Sequence, residues 1–424
     1  MNIFLVFLLL FISVTAQARI YIPIDQPSDK KFPIAICNLD GGGKFGREVA
    51  DVIRSDLTLS GYFYVLPFNT YEARCDEDGT DLASIRFDVW KAMETQALVK
   101  GKIEKIGSEF ALHLSLFDPH GPSVLVEKQF QEKNDDMRHA AHKFSDDIME
   151  ALTGIRGVFT TKIAYASATN KQNKEILVMD MDGQNARKVT KLKTISLSPS
   201  WSPKGDQLVF SSYKDGRPNL YVIGRDGKNM DRLTTSSGIS ISPTWSPVAN
   251  TILFAASGQG EVDLYRISTN GRRATAITNA SGIDLAPDFS PDGSEVVFAS
   301  ERAGKLHIFK MPASGGEATR LTYVGYQNDM PSWSPMGDKI AFAGRDLGTF
   351  DIFIMNPDGS NIQRLTIRSG SNESPSFSPD GRFIVFSSTR DGGSGIYLMR
   401  ADGSNQTRIS DGHGMLPDWG PRND

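Results

Sequence analysis

Two histidines on one predicted helix come nearest to a metal-binding pattern in this sequence. His139 and His142 lie three residues apart in "DDMRHAAHKFSDDIMEALTG", so both side chains would project from one face of the helix. A site of this kind needs a third ligand, and no cysteine or acidic cluster is spaced to supply it. We therefore predict that both histidines are exposed helix residues and that the chain holds no metal.

The glycine-rich stretch "GGGKFG" at 41–46 matches the dinucleotide-binding pattern G-x-G-x-x-G. The strand that would follow ends in "LPFN" without an acidic residue to bind a ribose, and the surrounding unit is too small for a doubly wound sheet. The nucleophile motif G-x-S-x-G does not occur in the sequence. We predict a strand-to-helix loop at 41–46, no cofactor and no enzymatic activity.

From about residue 160 the chain is periodic, and most repeats follow one another at 44 residues. Each repeat holds an aromatic-bearing segment, two apolar runs, a glycine-containing hairpin turn and a short third run, which together predict a four-stranded antiparallel sheet. Six such sheets bury their faces by radial stacking, so we predict a six-bladed β-propeller. The aromatic residues should pack between neighbouring blades; they are Trp201, Trp245, Phe289, Trp333, Phe377 and Trp419.

The first repeat lacks an aromatic segment, and the last aromatic segment, "LPDWGP", has no strands after it. If this last segment supplies the inner strand of the first blade, the ring closes noncovalently and no sheet edge is left unpaired. We therefore predict a propeller over 158–424 with this form of closure.

Residues 19–157 show alternating strand and helix patterns instead, which predict a small α/β domain with a mixed sheet. Its two cysteines are Cys37, in the apolar "PIAICNL", and Cys75, in the polar "ARCDEDG". Export would permit a disulfide, but these contexts favour a buried thiol and a separate loop thiol.

The N-terminus carries the pattern of an export signal. An apolar run at 2–16 precedes the A-x-A sequence of residues 16–18, which predicts a cleaved signal peptide over 1–18, with an uncleaved anchor as the alternative. A net charge of −4 gives no basic excess for a phosphate backbone. We expect an exported protein that neither inserts into a membrane nor binds nucleic acid.

One face of the propeller should carry the loops between blades and the loops between second and third strands. These loops predict a polar mouth that docks a protein, with ordinary solvated loops as the alternative. The inner mouth residues are Asp284, Asn328, Asp329, Asn372 and Glu373, and the outer basic residues are Lys214, Arg217, Arg302, Arg345 and Arg390.

The stretches "FPIAI", "VADVIRSDLTLSGYF" and "ALTGIRGVFTTKIAY", with the tandem "P-x-W-S-P-x-G" units, resemble the TolB family of the Tol-Pal system. The resemblance implies a monomeric periplasmic adaptor without enzymatic activity, which maintains outer-membrane integrity during cell division and has a place in protein transport. It would bind the lipoprotein Pal through the mouth and TolA through an N-terminal segment at 19–28, with other outer-membrane proteins as further partners.

In that segment Ile20, Ile22 and Ile24 alternate as in a strand, and Asp25 follows them. Two alternatives stay open for the whole chain: a propeller that gates an enzyme, and a free-standing peptidoglycan or carbohydrate binder. The second would expose aromatic side chains in the mouth, where Tyr323 and Tyr326 are the candidates.

Overall fold

The computed structural model describes residues 31–422, apart from short gaps at 134–135, 169, 171, 236–237, 258–260, 271–272 and 347. The predicted signal peptide and the predicted partner segment at 19–28, with Ile20, Ile22, Ile24 and Asp25, lie outside the described residues. Within the described part, no helix is both long and apolar enough to span a bilayer.

The N-terminal domain is built on a mixed five-stranded sheet of order β2-β1-β3-β4-β5. The first three of these strands in space are parallel, and β3, β4 and β5 form an antiparallel meander. The strands are β1 (Phe32–Ile36), β2 (Phe63–Val65), β3 (Ala97–Ile106), β4 (Glu109–Asp118) and β5 (Ser123–Glu132).

Two long helices cover one face of this sheet, and each ends at a glycine in the left-handed conformation, as the sequence predicts. The short helix α2, which contains Cys75, was not predicted. The helices are α1 (Lys44–Ser60), α2 (Glu72–Glu77), α3 (Phe87–Ala92) and α4 (Met137–Thr153), with a 3₁₀ turn at Phe68–Thr70.

The prediction of two separate thiols is wrong, because Cys37 and Cys75 form a disulfide. Cys37 follows β1 and Cys75 lies on α2, and both are buried in the smaller core on the other face of the sheet. Tyr71 and Trp90 pack edge to face in this core. The polar residues around Cys75 in sequence belong to the outer side of α2, which hid the buried position of its thiol.

The loop at 41–46 connects a strand to a helix, as predicted, and packing accounts for Gly42 and Gly46. A Cβ atom on Gly42 would lie 1.9 Å from Cγ2 of Ile103, and one on Gly46 would lie 2.3 Å from the carbonyl oxygen of Leu39. Larger side chains would therefore push the loop off β3.

The second domain is a propeller of six four-stranded antiparallel blades, as predicted. In each blade the aromatic-bearing strand is innermost. The first three blades are β29 (Met415–Trp419), β6 (Lys162–Ala168), β7 (Lys174–Asp180) and β8 (Arg187–Lys188); β9 (Ser196–Trp201), β10 (Gln207–Ser212), β11 (Asn219–Gly224) and β12 (Asp231–Arg232); and β13 (Ser240–Trp245), β14 (Thr251–Ser257), β15 (Val262–Ser268) and β16 (Thr275–Ala276).

The other three blades repeat this order without a break in the chain. They are β17 (Asp284–Phe289), β18 (Glu295–Ser300), β19 (His307–Pro312) and β20 (Thr319–Arg320); β21 (Gln327–Trp333), β22 (Ile340–Arg345), β23 (Asp351–Met355) and β24 (Gln363–Arg364); and β25 (Asn372–Phe377), β26 (Phe383–Ser388), β27 (Gly395–Arg400) and β28 (Thr407–Arg408).

The last strand of the chain completes the first blade, because β29 pairs antiparallel with β6. Trp419 at its end is buried, packs against Phe383 of the sixth blade, and donates its indole N–H to Thr161 at 2.8 Å. The two termini of the propeller are therefore joined by hydrogen bonds and packing alone.

The larger core of the N-terminal domain continues into the propeller. Val158 and Phe159, between α4 and β6, are fully buried in a cluster that includes Met181 and Ile396 of the propeller. Asp146 of α4 accepts hydrogen bonds from the backbone N–H of Phe159 and from the Thr160 hydroxyl, both at 2.8 Å. The connection between the two domains is thus packed and hydrogen-bonded.

Candidate functional site

The mouth of the propeller is the face that carries the loops from each fourth strand to the next blade, and the loops between second and third strands. Both sets lie on one face because successive strands of a blade run in opposite directions. The mouth holds every propeller residue that the sequence singled out for partner binding, but it holds them at different depths.

Asp284, at the start of β17, lies beneath the surface of the mouth with 1% of its area exposed. Its carboxylate accepts a hydrogen bond from the Arg302 guanidinium at 2.8 Å, and Arg302 also donates to the Ser300 hydroxyl at the same distance. This ion pair ties the start of the inner strand to the loop after β18. The buried Asp284 side chain therefore fixes the position of this loop.

The same arrangement recurs two blades further on, where Arg390 donates to the side-chain oxygen of Asn372 at 2.9 Å. Asn372 is fully buried and also donates to Asp351 of the preceding blade. Asn328 is buried as well, and donates to the carbonyl oxygen of Val324 at 2.9 Å. These amides shape the loops of the mouth.

Asp329 and Glu373 follow Asn328 and Asn372 on the inner strands β21 and β25. Asp329 lines a cavity of about 170 Å³ at the mouth end of the axial canal. Burial raises the pKa of the Asp329 carboxyl, and the nearby Glu373 carboxylate adds to that increase. Glu373 is half-buried and accepts a hydrogen bond from the Ser371 hydroxyl at 2.6 Å.

Three exposed apolar side chains of the mouth lie in the loop between β20 and β21, and Ile367 of the loop between β24 and β25 is exposed as well. Tyr323, Val324 and Tyr326 are 70%, 67% and 51% exposed. The Lys305 ammonium lies 4.0 Å from the centre of the Tyr326 ring, and the Arg345 guanidinium lies 5.5 Å from it. We call Tyr323, Val324 and Tyr326 the tyrosine patch. In the sequence it appears as "TYVGY", whereas the corresponding loops of the other blades are rich in serine, glycine and aspartate.

Below the mouth, the residues that immediately precede the aromatic residues of the six inner strands form a ring around the canal. Several of these residues accept a hydrogen bond from the backbone of the next blade: Asp418 from Trp201 at 2.8 Å, and Asp288 from Trp333 at 2.7 Å. The ring consists of Ser200, Thr244, Asp288, Ser332, Ser376 and Asp418. The two aspartates are three blades apart, on opposite sides of the axis.

Burial dominates the electrostatics of this ring. It raises the pKa of the Asp288 carboxyl to about 6 and that of the Asp418 carboxyl to about 7, although the backbone hydrogen bonds act in the opposite direction. The ring therefore links blades through groups whose charge changes near neutral pH.

The prediction that both helix histidines are exposed is right for His139 and wrong for His142. His139 is exposed on α4, but His142 is buried, with Nδ1 2.8 Å from the carboxylate of Asp56 on α1. The apolar side of α4 continues past His142, and the helix faces α1 and the propeller at once. The residue pattern of α4 alone cannot show that the helix packs against two partners.

Comparison with known proteins covers both domains. Residues 20–120 match the profile of the TolB amino-terminal domain, and residues 149–423 match the profile of the TolB beta propeller domain. The crystal structure of TolB from Acinetobacter baumannii superposes with a TM-score of 0.81 at 28% identity, covering 93% of this chain and 98% of that chain.

Two curated relatives carry the name Tol-Pal system protein TolB. The protein of Vesicomyosocius okutanii is 33% identical over 229 residues, 52% of each chain. The protein of Geobacter sulfurreducens is 38% identical over 173 residues, 40% of this chain and 39% of that one. The chain thus spans about half the length of the curated relatives it matches, or less.

Proposed function

The chain belongs to the TolB family, and from this membership we propose that it is a non-enzymatic periplasmic adaptor of the Tol-Pal envelope system. In this proposal the mouth of the propeller binds Pal, and the N-terminal segment at 19–28 binds TolA. The chain then supports outer-membrane integrity during cell division. The proposal places the signal peptide at 1–18, the α/β domain at 19–157 and the propeller at 158–424.

The tyrosine patch is the observation that carries the mouth assignment. Exposed tyrosines with cations held over their rings are the side chains that dominate the free energy of protein–protein association. They bury a large apolar area and lose little rotational freedom, while their hydroxyls stay available for hydrogen bonds at the rim. The patch therefore offers a partner an anchor at the edge of the canal.

The buried polar contacts of the mouth, one ion pair and one hydrogen bond to an amide, have a supporting role in this proposal. The pairs of Asp284 with Arg302 and of Asn372 with Arg390 fix the loops that surround the patch. Asp329 and Glu373 give the canal entrance a negative character, which would favour a basic group of the partner. Arg345 takes part directly, since it lies against Tyr326 and is half-buried.

Replacing Tyr326 with alanine tests the assignment. We expect Tyr326→Ala to weaken binding of the soluble domain of Pal by about 5-fold or more, measured by calorimetry, because interface tyrosines of this kind are worth more than about 1 kcal/mol. Tyr64→Ala is a matched control: Tyr64 is 52% exposed on β2 of the other domain, so its loss should leave the affinity unchanged.

The double variant Tyr323→Ala/Tyr326→Ala sharpens the experiment. Its circular dichroism and melting temperature should stay close to wild type, since both side chains project into solvent. Wild-type affinity in the double variant would remove the tyrosine patch from the Pal interface.

A further inference from the structure

A cluster of buried charged residues lies where the N-terminal domain meets the first blade. It joins Asp56 of α1, His142 of α4, and Asp180 and Asp182 at the end of β7 and in the turn after it. We call these four residues the interface cluster. One ligand atom each from Asp56, His142 and Asp182 lies within 4.8 Å of the others.

The two ring nitrogens of His142 have different surroundings. Nδ1 is 2.8 Å from Oδ2 of Asp56, which fixes the orientation of the ring. Nε2 is buried and, among the described residues, has no hydrogen-bond partner. It points between the two carboxylates of the propeller, with Oδ2 of Asp180 and Oδ2 of Asp182 each 3.9 Å away.

A distance of 3.9 Å is too long for a hydrogen bond. A proton on Nε2 would therefore have no acceptor in reach, and a lone pair there would have no donor. A metal ion between two such atoms can span this separation with two bonds of about 2.0–2.2 Å. Zinc forms bonds of this length to histidine nitrogen and to aspartate oxygen. The spacing between Nε2 and the two carboxylates thus fits a metal ion better than a direct contact.

The groups around the cluster match the outer contacts of a metal site. Asp56 accepts a hydrogen bond from Nδ1, the ring nitrogen of His142 that faces away from Asp180 and Asp182. This arrangement makes the other ring nitrogen, Nε2, a better metal ligand. Asp182 is paired with Arg138, and Asp180 is paired with Lys162 and accepts from Asn185. Carboxylates that bind metals are held in the same way by neighbouring donors.

Charge also favours a cation. Asp56, Asp180 and Asp182 bring three negative charges, whereas Arg138 and Lys162 bring two positive ones. With a neutral imidazole these side chains sum to one negative charge. Burial lowers the pKa of His142, but the Asp56 and Asp182 carboxylates outweigh it and raise the pKa, so without an ion a ring proton supplies the balancing charge, and a metal ion would displace that proton. A cavity of about 500 Å³ lined in part by Arg138, Lys162 and Asp180 gives access to its edge.

We propose that the interface cluster binds one divalent transition-metal ion of the zinc type, with Nε2 of His142 and the carboxylates of Asp180 and Asp182 as ligands. The imidazole ligand favours zinc over calcium or magnesium, which prefer oxygen-only sites. The ion would connect α4 to the first blade and so fasten the two domains together. This role is independent of Pal and TolA binding.

Zinc titration of the full-length mature protein, after chelator treatment and dialysis, tests the proposal. We expect one equivalent of Zn²⁺ to bind and to raise the melting temperature. His142→Gln should weaken binding by at least about 10-fold and abolish the rise in melting temperature. His120→Gln is the matched control, since His120 is exposed in the turn between β4 and β5, outside the cavity beside the cluster, and this variant should bind zinc as wild type does.

Asp182→Asn provides a second test from the propeller side, and circular dichroism shows whether each variant is folded. Weakened zinc binding in a folded Asp182→Asn protein would support a site shared between the domains. The proposal is overturned if wild-type protein binds no stoichiometric zinc, or if His142→Gln binds it with wild-type affinity.

Discussion

Asp418 shows how one buried carboxyl group can set the pH range over which a propeller is stable. Burial raises its pKa in the folded protein to about 7, whereas an unfolded aspartate titrates near 3.9. The folded state therefore holds the proton more tightly than the unfolded state. The stability that this difference provides is present below about pH 4 and is lost as the pH rises through about 7.

Asp418→Asn should remove this pH dependence. Asparagine can still accept the hydrogen bond from the backbone N–H of Trp201, and it cannot ionise. We expect the melting temperature of the variant to exceed that of wild type at pH 8, with a stabilisation on the order of 2–4 kcal/mol, and to match it at pH 4. Calorimetric melts across this range measure both effects.

Asp292→Asn is the control of opposite sign. Hydrogen bonds from Ser290 and Ser294 lower the pKa of the exposed Asp292 carboxyl to about 2. Neutralising it should therefore bring no gain at pH 8. A melting temperature of Asp418→Asn equal to or below wild type at pH 8 would contradict the assignment of a costly charge to the canal.

The residues that sequence reasoning misplaced share one physical cause. Cys37 and Cys75 are 38 positions apart, and His142 meets Asp56 from 86 positions away. Local patterns describe the side of one helix or strand, but these contacts depend on how separate elements pack. The exposure of Tyr323 and Tyr326 was easier to anticipate, because a loop residue needs no distant partner.

At the scale of elements, β29 carries the closure of the ring. Trp419→Ala should destabilise the propeller by about 3–5 kcal/mol, because it removes a buried aromatic between the first and sixth blades. Chemical denaturation followed by circular dichroism measures the loss. Met336→Ala is the control, since this large apolar side chain is exposed and its removal should change stability by about 0.5 kcal/mol or less.

Truncation before residue 415 should be more damaging still, because it also exposes the edge of β6 to other chains. An unchanged denaturation midpoint for Trp419→Ala would show that the first blade does not depend on its inner strand.

The elements themselves were largely predictable, for reasons that differ between the two domains. The strand pattern of the propeller occurs six times, so the turn and the aromatic residue of one repeat indicate where those of the next repeat lie. In the N-terminal domain the long helices α1 and α4 show clear periodicity and glycine stops, whereas α2 is a single short stretch of polar residues around Cys75. Its one buried residue, Cys75, lies in the core that contains Trp90, a contact that the local sequence does not reveal.

At the scale of the whole molecule, the two proposed partner contacts lie in different domains. The tyrosine patch belongs to the loop between the fourth and fifth blades. The segment at 19–28 precedes β1, which lies between β2 and β3 of the N-terminal sheet. A common core runs from this sheet into the first and sixth blades, so the two domains are packed together.

Deleting residues 19–26 should therefore abolish TolA binding and leave Pal binding unchanged. Ile20, Ile22 and Ile24 alternate as in a strand that adds to the sheet edge of a partner, and Pro23 between them restricts the pairing to an edge. A variant with 19–26 replaced by glycine and serine at equal length separates the effect of sequence from that of length. Titrations of both variants with TolA and with Pal measure the outcome, and TolA binding retained by the replaced variant would place the second contact elsewhere on the molecule.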